Sequence, residues 1–280
     1  MPAIQAINVP ALLRLHGLRP EKAMGQNFLV DEGHLVRIVE FARVASTDEV
    51  LEVGAGLGSL TRHLAAAAKR VVAVELDGKL LPLLRETVRG YPNVEVVHAD
   101  ILQLRLADFF QSPGYLVVAN IPYYLTSSLI RHLLEHDPRP QRLTLTIQRE
   151  VAERACASPP EMSLLALSVQ LYGSPRIAHH IPAGAFYPIP KVDSALLVVD
   201  LYAEPRLPAE KIDAIFNLAK AAFSQKRKTL ANSLASLPDW TKEHAAARLD
   251  AAGIDPMRRP QTLSLEEWGR LLNLLPGALA

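Results

Sequence analysis

Leu51-Glu52-Val53-Gly54-Ala55-Gly56-Leu57-Gly58 ends a short apolar run, Glu49 to Val53, and opens a helix-length stretch, Ser59 to Ala67. Glycine lets a backbone turn sharply and lets a ligand come close to it. A glycine loop between a strand and a helix lies at the carboxyl edge of a parallel sheet, where α/β folds bind their cofactors. The spacing here is G-x-G-x-G, not the G-x-G-x-x-G of dinucleotide binders, and no Gly-Lys-Ser/Thr follows as in a P-loop. The plainer alternative is a glycine turn that holds nothing; its place directly after a strand favours a cofactor loop.

Outward from this loop, valine- and leucine-rich runs alternate with helix-length stretches. Arg70 to Leu76, Val94 to His98 and Tyr115 to Ala119 resemble parallel strands buried on both faces. Asp77 to Arg89, with Asp77 as expected N-cap, and Leu125 to His136 read as the intervening helices. Leu143 to Gln148, Leu167 to Tyr172 and Ser194 to Leu201 complete seven expected strands in one doubly wound sheet. Two helices, Pro10 to His16 and Gly33 to Val44, are expected before the glycine loop, around an irregular segment from Met24 to Val30. After Tyr202 only helical periodicity remains: Glu210 to Phe223, Lys226 to Ala235, Thr241 to Ala251 and Ser264 to Leu274. The expected division is therefore an α/β domain over residues 1–203 and a small all-helical domain over 204–280.

Composition sets the frame for these readings. With 280 residues, 49% of them apolar, the chain can bury a full core. Apolar runs are too short to span a bilayer, and no leader pattern precedes the first helix, so a cytoplasmic protein is expected. The single cysteine, Cys156, cannot form an internal disulfide, which suits a reducing compartment. It has no evident histidine partner and reads as a packing residue. His179 and His180 lack metal-ligand spacing, so no metal is expected. A formal net charge of +1 does not advertise a polyanion partner, although basic residues gather at Lys220, Lys226, Arg227 and Lys228. Such a cluster alone is more often a solvated helix face than a binding site.

Three strand ends add chemistry in order. Glu75 closes the second strand, where a carboxylate can accept from both hydroxyls of a ribose. Asp100 closes the third, where it can accept from the exocyclic amine of a nucleobase. Asn120-Ile121-Pro122-Tyr123 follows the fourth. An adenine N6 is a poor nucleophile because its lone pair is delocalised into the ring. The Asn120 side-chain oxygen and the Ile121 carbonyl could hold both N–H bonds and favour a tetrahedral, more nucleophilic nitrogen. Pro122 restricts Ile121 to extended geometry, and Tyr123 offers a ring for stacking. Each acid alone could be an ordinary loop carboxylate, and the tetrapeptide alone an asparagine turn. Their succession on neighbouring strand ends favours a site that aligns an adenine amine with a cofactor.

The chain resembles the ribosomal RNA adenine N6,N6-dimethyltransferase family, in particular its small-subunit branch. The resemblance runs over roughly residues 20 to 275. It rests on Gly25-Gln26-Asn27-Phe28-Leu29, the Glu52 to Gly58 loop, Val74-Glu75-Leu76-Asp77, Asn120 to Tyr123, Phe186-Tyr187-Pro188-Ile189-Pro190-Lys191-Val192-Asp193-Ser194, and Ala222 to Leu230. It implies a class I methyltransferase fold, S-adenosylmethionine as cofactor, and dimethylation of two adjacent adenines in the 3′-terminal hairpin of small-subunit rRNA, within an immature subunit. It further implies cofactor contacts from Asn27, Leu29, Gly54, Gly56, Glu75, Leu76, Asp100, Ile101 and Asn120, and a second aromatic wall for the target base at Phe186. Lys191, Lys220, Lys226, Arg227 and Lys228 are the expected RNA-phosphate partners of a monomeric enzyme. Tyr124 departs from the family, which often carries Asn there.

Three alternatives stay open at this level. The large-subunit rRNA branch shares the Phe186 to Ser194 pattern, whereas Phe223 to Leu230 points to the small-subunit branch. A DNA adenine methyltransferase would be expected to carry Pro-Pro-Tyr or Pro-Pro-Phe after its Asp or Asn. A ribosome assembly factor without catalysis would not need the glycine loop, both acids and the tetrapeptide together.

Overall fold

A computed structural model describes residues 4–122, 125–225, 227–238 and 240–274. Tyr123, Tyr124 and Lys226 lie outside the described residues. The strands are β1 (Phe28–Leu29), β2 (Glu49–Val53), β3 (Arg70–Glu75), β4 (Val94–His98), β5 (Leu116–Asn120), β6 (Arg142–Gln148), β7 (Gly173–Ile181), β8 (Phe186–Tyr187) and β9 (Ser194–Leu201). The helices are α1 (Val9–Leu15), α2 (Glu32–Ala42), α3 (Ser59–Ala67), α4 (Leu81–Thr87), α5 (Thr126–Glu135), α6 (Arg149–Ala155) and α7 (Leu164–Gln170). After β9 come α8 (Ala209–Phe223), α9 (Leu230–Leu234), α10 (Lys242–Ala251) and α11 (Leu265–Leu272).

Seven strands form one sheet in the order β4-β3-β2-β5-β6-β9-β7. β4, β3, β2, β5 and β6 are parallel, and β9 runs antiparallel to β6. Strand order reverses between β2 and β5, and a crevice opens at the carboxyl ends beside such a reversal. The inner strands are apolar on both faces because helices cover both: Val50, Leu51, Val71, Val72, Val117 and Val118 are fully buried. Among the described residues, no helix is long and apolar enough to cross a membrane.

The structure corrects two local readings. Leu167 to Tyr172, expected as a strand, falls largely within the helix α7. Ser163 caps it by accepting from the Ala166 N–H at 2.9 Å, and Ala166, Leu167 and Val169 are buried at helical spacing. The strand in question is instead β7, whose Pro175 and two histidines hid it. Asp77 is not the N-cap of α4. Its carboxylate accepts from the Lys79 N–H at 3.0 Å in a turn, and α4 starts three residues later than that cap would require, after Leu80.

Two compact units are present: Met1–Ala152 with Pro175–Leu201, and Glu153–Ser174 with Tyr202–Ala280. The expected division near residue 203 did not include the excursion Glu153–Ser174. That segment is stitched to the C-terminal helices by Met162 N–H to Gln261 O (2.9 Å), Tyr202 N–H to Tyr172 O (2.9 Å) and Arg206 N–H to Leu171 O (2.8 Å). Cys156 follows α6 and is half-buried, and burial raises its thiol above the ordinary range.

Glu52 is an acid inside the sheet. It is 2% exposed, and its Oε2 has no hydrogen-bond partner among the described residues. Burial pushes its carboxyl up to about 8, opposed by the Thr61 hydroxyl and reinforced by the like charge of Glu75. Below about pH 4.5 the folded and unfolded chains both hold this proton. As pH rises the unfolded chain releases it first, so stability is lost progressively until pH passes about 8. Glu52→Gln removes that loss. Thermal unfolding should show the variant gaining on wild type by a few degrees at pH 8 and by much less at pH 5; an equal effect at both pH values would show that Glu52 is ionised in the fold.

Candidate active site

The parallel register determines which side chains meet. Val53 stands opposite Val74 on β3 and Ala119 on β5, and Glu75 stands opposite His98 on β4. The residues just beyond these pairs therefore emerge along one edge. They line an open cleft with about 1050 Å³ of empty space. Its walls include Gly54 and Gly56 from the loop after β2, Glu75 at the end of β3 with Leu76 after it, Asp100 and Ile101 after β4, and Asn120 at the end of β5 with Ile121 and Pro122 after it.

The glycine loop is built for close approach. Gly54 and Gly56 take φ of 74° and 59°, which side chains rarely adopt. A Cβ on Gly56 would stand 3.2 Å from the Phe28 ring, so a side chain would crowd the cleft wall. The Gly54 and Ala55 N–H groups donate to the Val74 carbonyl at 2.9 and 3.1 Å, fastening the loop to the neighbouring strand.

Glu75 braces the same loop: its Oε2 accepts from the Gly56 N–H at 2.7 Å and its Oε1 from the Asp77 N–H at 2.8 Å. Burial raises its carboxyl above the ordinary range, while the Asp77 and Gly56 N–H groups oppose the rise by binding the ionised form. Each oxygen keeps a further lone pair, enough for two ribose hydroxyls. Asp100 accepts from the Leu102 N–H at 3.0 Å and from the Gln103 side chain at 3.1 Å. Leu76, Ile101 and Leu102 give that part of the cleft an apolar surface, and Leu76 and Leu102 remain well exposed there. This is a surface of the kind that a flat heterocycle covers.

Asn120 sits where β5 ends. Its Nδ2 donates to the Asn27 backbone carbonyl at 3.0 Å. A carbonyl only accepts, so the amide is held with its NH₂ toward Asn27 and its Oδ1 is left as an acceptor. The Asn27 segment is fixed from three sides. β1 pairs antiparallel with β8, Leu29 opposite Phe186. Val30 N–H donates to Ala185 O at 2.9 Å. The Gln26 side chain donates to Asp77 at 2.8 Å while accepting from the Glu21 N–H at 2.8 Å. Phe186, nearly inaccessible, lines the cleft on the same side.

Of the expected site residues that are described, the cleft gathers Asn27, Gly54, Gly56, Glu75, Leu76, Asp100, Ile101, Asn120, Ile121, Pro122 and Phe186. Leu29 does not line it: the side chain is buried in the core with Leu35, Ile38 and Phe186, and its strand acts by holding Asn27 in place. Met24, Gln26, Phe28, Leu80, Leu102 and Leu125 also line the cleft and were not anticipated. Phe28 belongs to the Gly25 to Leu29 motif, in which only Asn27 and Leu29 were expected at the cofactor. Lys191 is exposed on the loop between β8 and β9; Lys220, Arg227 and Lys228 are exposed in the other unit.

A family model described as "Ribosomal RNA adenine dimethylase" matches residues 17–275. A protein of Dehalococcoides mccartyi named ribosomal RNA small subunit methyltransferase A is 43% identical over 255 residues, covering 91% of this chain and 88% of that one. A protein of the same name from Alkaliphilus oremlandii is 42% identical, with 91% of each chain covered. Among solved structures, a dimethyladenosine transferase from Plasmodium falciparum aligns with a TM-score of 0.73 at 27% identity, covering 86% of this chain and 94% of that one. The 23S rRNA methyltransferase ErmE aligns with a TM-score of 0.70 at 30% identity, covering 88% and 98%. The match of the family model and the 43% relative agree with the cleft: this chain belongs to the ribosomal RNA adenine dimethylase family, a family of RNA methyltransferases.

Proposed function

We propose that this chain transfers two methyl groups in turn from S-adenosylmethionine to N6 of each of two adjacent adenines in the 3′-terminal hairpin of small-subunit rRNA, within an immature subunit in the cytoplasm. The observation that carries the reading is the fixed amide of Asn120, its acceptor oxygen retained at the end of β5 in a cleft shared with Glu75 and the glycine loop. The two relatives named for the small subunit exceed 40% identity, whereas the 23S rRNA enzyme stands at 30%, which favours the small-subunit branch.

The residues present fit the cofactor. Gly54 and Gly56 would hold its amino-acid end, Glu75 its ribose, and Asp100 with Leu76 and Ile101 its adenine. When bound, S-adenosylmethionine supplies a methyl on sulfonium, already a strong electrophile. The chain therefore has to align and polarise rather than to provide a strong base. Asn120 Oδ1 and the Ile121 carbonyl accept the target N–H bonds and draw the nitrogen lone pair out of conjugation. As the N–C bond forms and the S–C bond breaks, positive charge grows on N6 and both hydrogen bonds strengthen, which is where rate is gained. The proton then leaves to solvent. After one methylation a single N–H remains, and one of the two acceptors suffices to hold it.

Phe186 supplies an aromatic wall for the flipped base, and Tyr123 is assigned the opposite face. Lys191, Lys220, Lys226, Arg227 and Lys228 are assigned to RNA phosphates, the C-terminal helical unit serving the ribosome contact of a monomeric enzyme.

Unmethylated small subunits incubated with the protein and labelled S-adenosylmethionine should yield N6,N6-dimethyladenosine at the two adjacent positions, read by mass spectrometry of digested RNA. Product from bare large-subunit rRNA instead would move the chain to the other branch, and no product from either would overturn the enzymatic reading. Asn120→Ala should lower methyl transfer about a hundredfold, while calorimetric titration shows cofactor affinity changed only a few-fold. Collapse of cofactor binding with normal residual turnover would reverse that division of roles.

A further inference from the structure

We propose that Ile189 is an apolar wedge that enters the base stack of the RNA and fills the place left when the target adenine swings into the cleft. This rests on the reading of the substrate given above. A single exposed isoleucine is ordinary on a protein surface. Three features set this one apart.

The first is its place. Ile189 is 70% exposed and follows by three residues Phe186, which lines the cleft. Three residues reach at most about 11 Å, so the wedge stands beside the pocket that would receive the base.

The second is rigidity. Pro188 and Pro190 flank Ile189, and a residue before proline is confined to extended backbone. Both ends of the loop are pinned. Tyr187 pairs with Phe28 in the short β1–β8 ladder. Asp193 accepts from the Ala183 N–H at 3.0 Å through Oδ1 and from the Arg149 N–H at 3.1 Å through its carbonyl. A β-branched side chain on such a loop loses little freedom when it inserts. Isoleucine is among the apolar side chains that proteins wedge between base steps of duplex DNA.

The third is the neighbour. Lys191 is exposed two residues on, a cation suited to the phosphate next to the opened step. Val192, the next residue, is also exposed.

The test uses small subunits reconstituted with 2-aminopurine in place of one target adenine, whose fluorescence rises when the base leaves the stack. Wild-type protein should raise it. Ile189→Ala and Ile189→Ser should lose most of the rise and methylate ordinary unmethylated subunits with kcat/KM about tenfold lower, while Ile189→Leu retains both. Affinity for S-adenosylmethionine should change less than threefold in all of them. Wild-type fluorescence and rate in Ile189→Ala would overturn the wedge. So would weakened subunit binding with an undiminished fluorescence rise at saturation, because Ile189 would then be a docking contact only. If wild type itself makes no dimethyladenosine on ordinary subunits, the functional reading falls and the wedge falls with it.

Discussion

The parallel register of β2 with β3 and β5 is the constraint on which the site depends. Parallel strands in register end together, and here they end in chemically different residues: glycines after β2, Glu75 on β3, Asp100 after β4 and Asn120 on β5. A slip of one residue in any strand would turn its terminal side chain to the other face of the sheet. The buried valines and leucines of both faces forbid that slip. Core packing, far from the chemistry, therefore sets the spacing of the cleft.

A second device forms one wall of the cleft from outside the sheet. The chain before β2 returns to the site through the two-residue ladder of β1 with β8 and the clamp of Gln26 on Asp77. Its effect on chemistry runs through one bond, from Asn120 Nδ2 to the Asn27 carbonyl. That bond settles which end of the amide is left to accept a hydrogen bond. The same ladder holds Phe186 in the cleft wall, so its ring and the Asn27 segment are positioned together rather than separately.

The fold was largely legible because short apolar runs carry a strong signal: the parallel strands β2, β3 and β4 and the antiparallel β9 lie where theirs place them, although β4 is only partly buried. Misreadings arose where local composition misleads. Leu164–Gln170 has strand-like residues but a serine cap and helical burial. Gly173–Ile181 is a strand whose proline and polar residues conceal it. The glycine loop, both acids and Asn120 were legible because each ends a strand. Gln26 and Phe28 were not assigned to the cleft, since a tertiary return of the chain that no local pattern encodes brings them there. Leu29 lies in the core rather than along the cleft, since both residues of the short strand β1 are buried.

The strand-end site carries every later step, and a structure of the protein with S-adenosylhomocysteine and adenosine tests it most directly. The account predicts both ribose hydroxyls of the cofactor product on the Glu75 carboxylate, its adenine between Asp100 and Leu76, and the N6 of adenosine on Asn120 Oδ1 with the Nδ2–Asn27 bond intact. A cofactor product bound elsewhere, or an Asn120 amide turned with its NH₂ toward the adenosine amine, would contradict it.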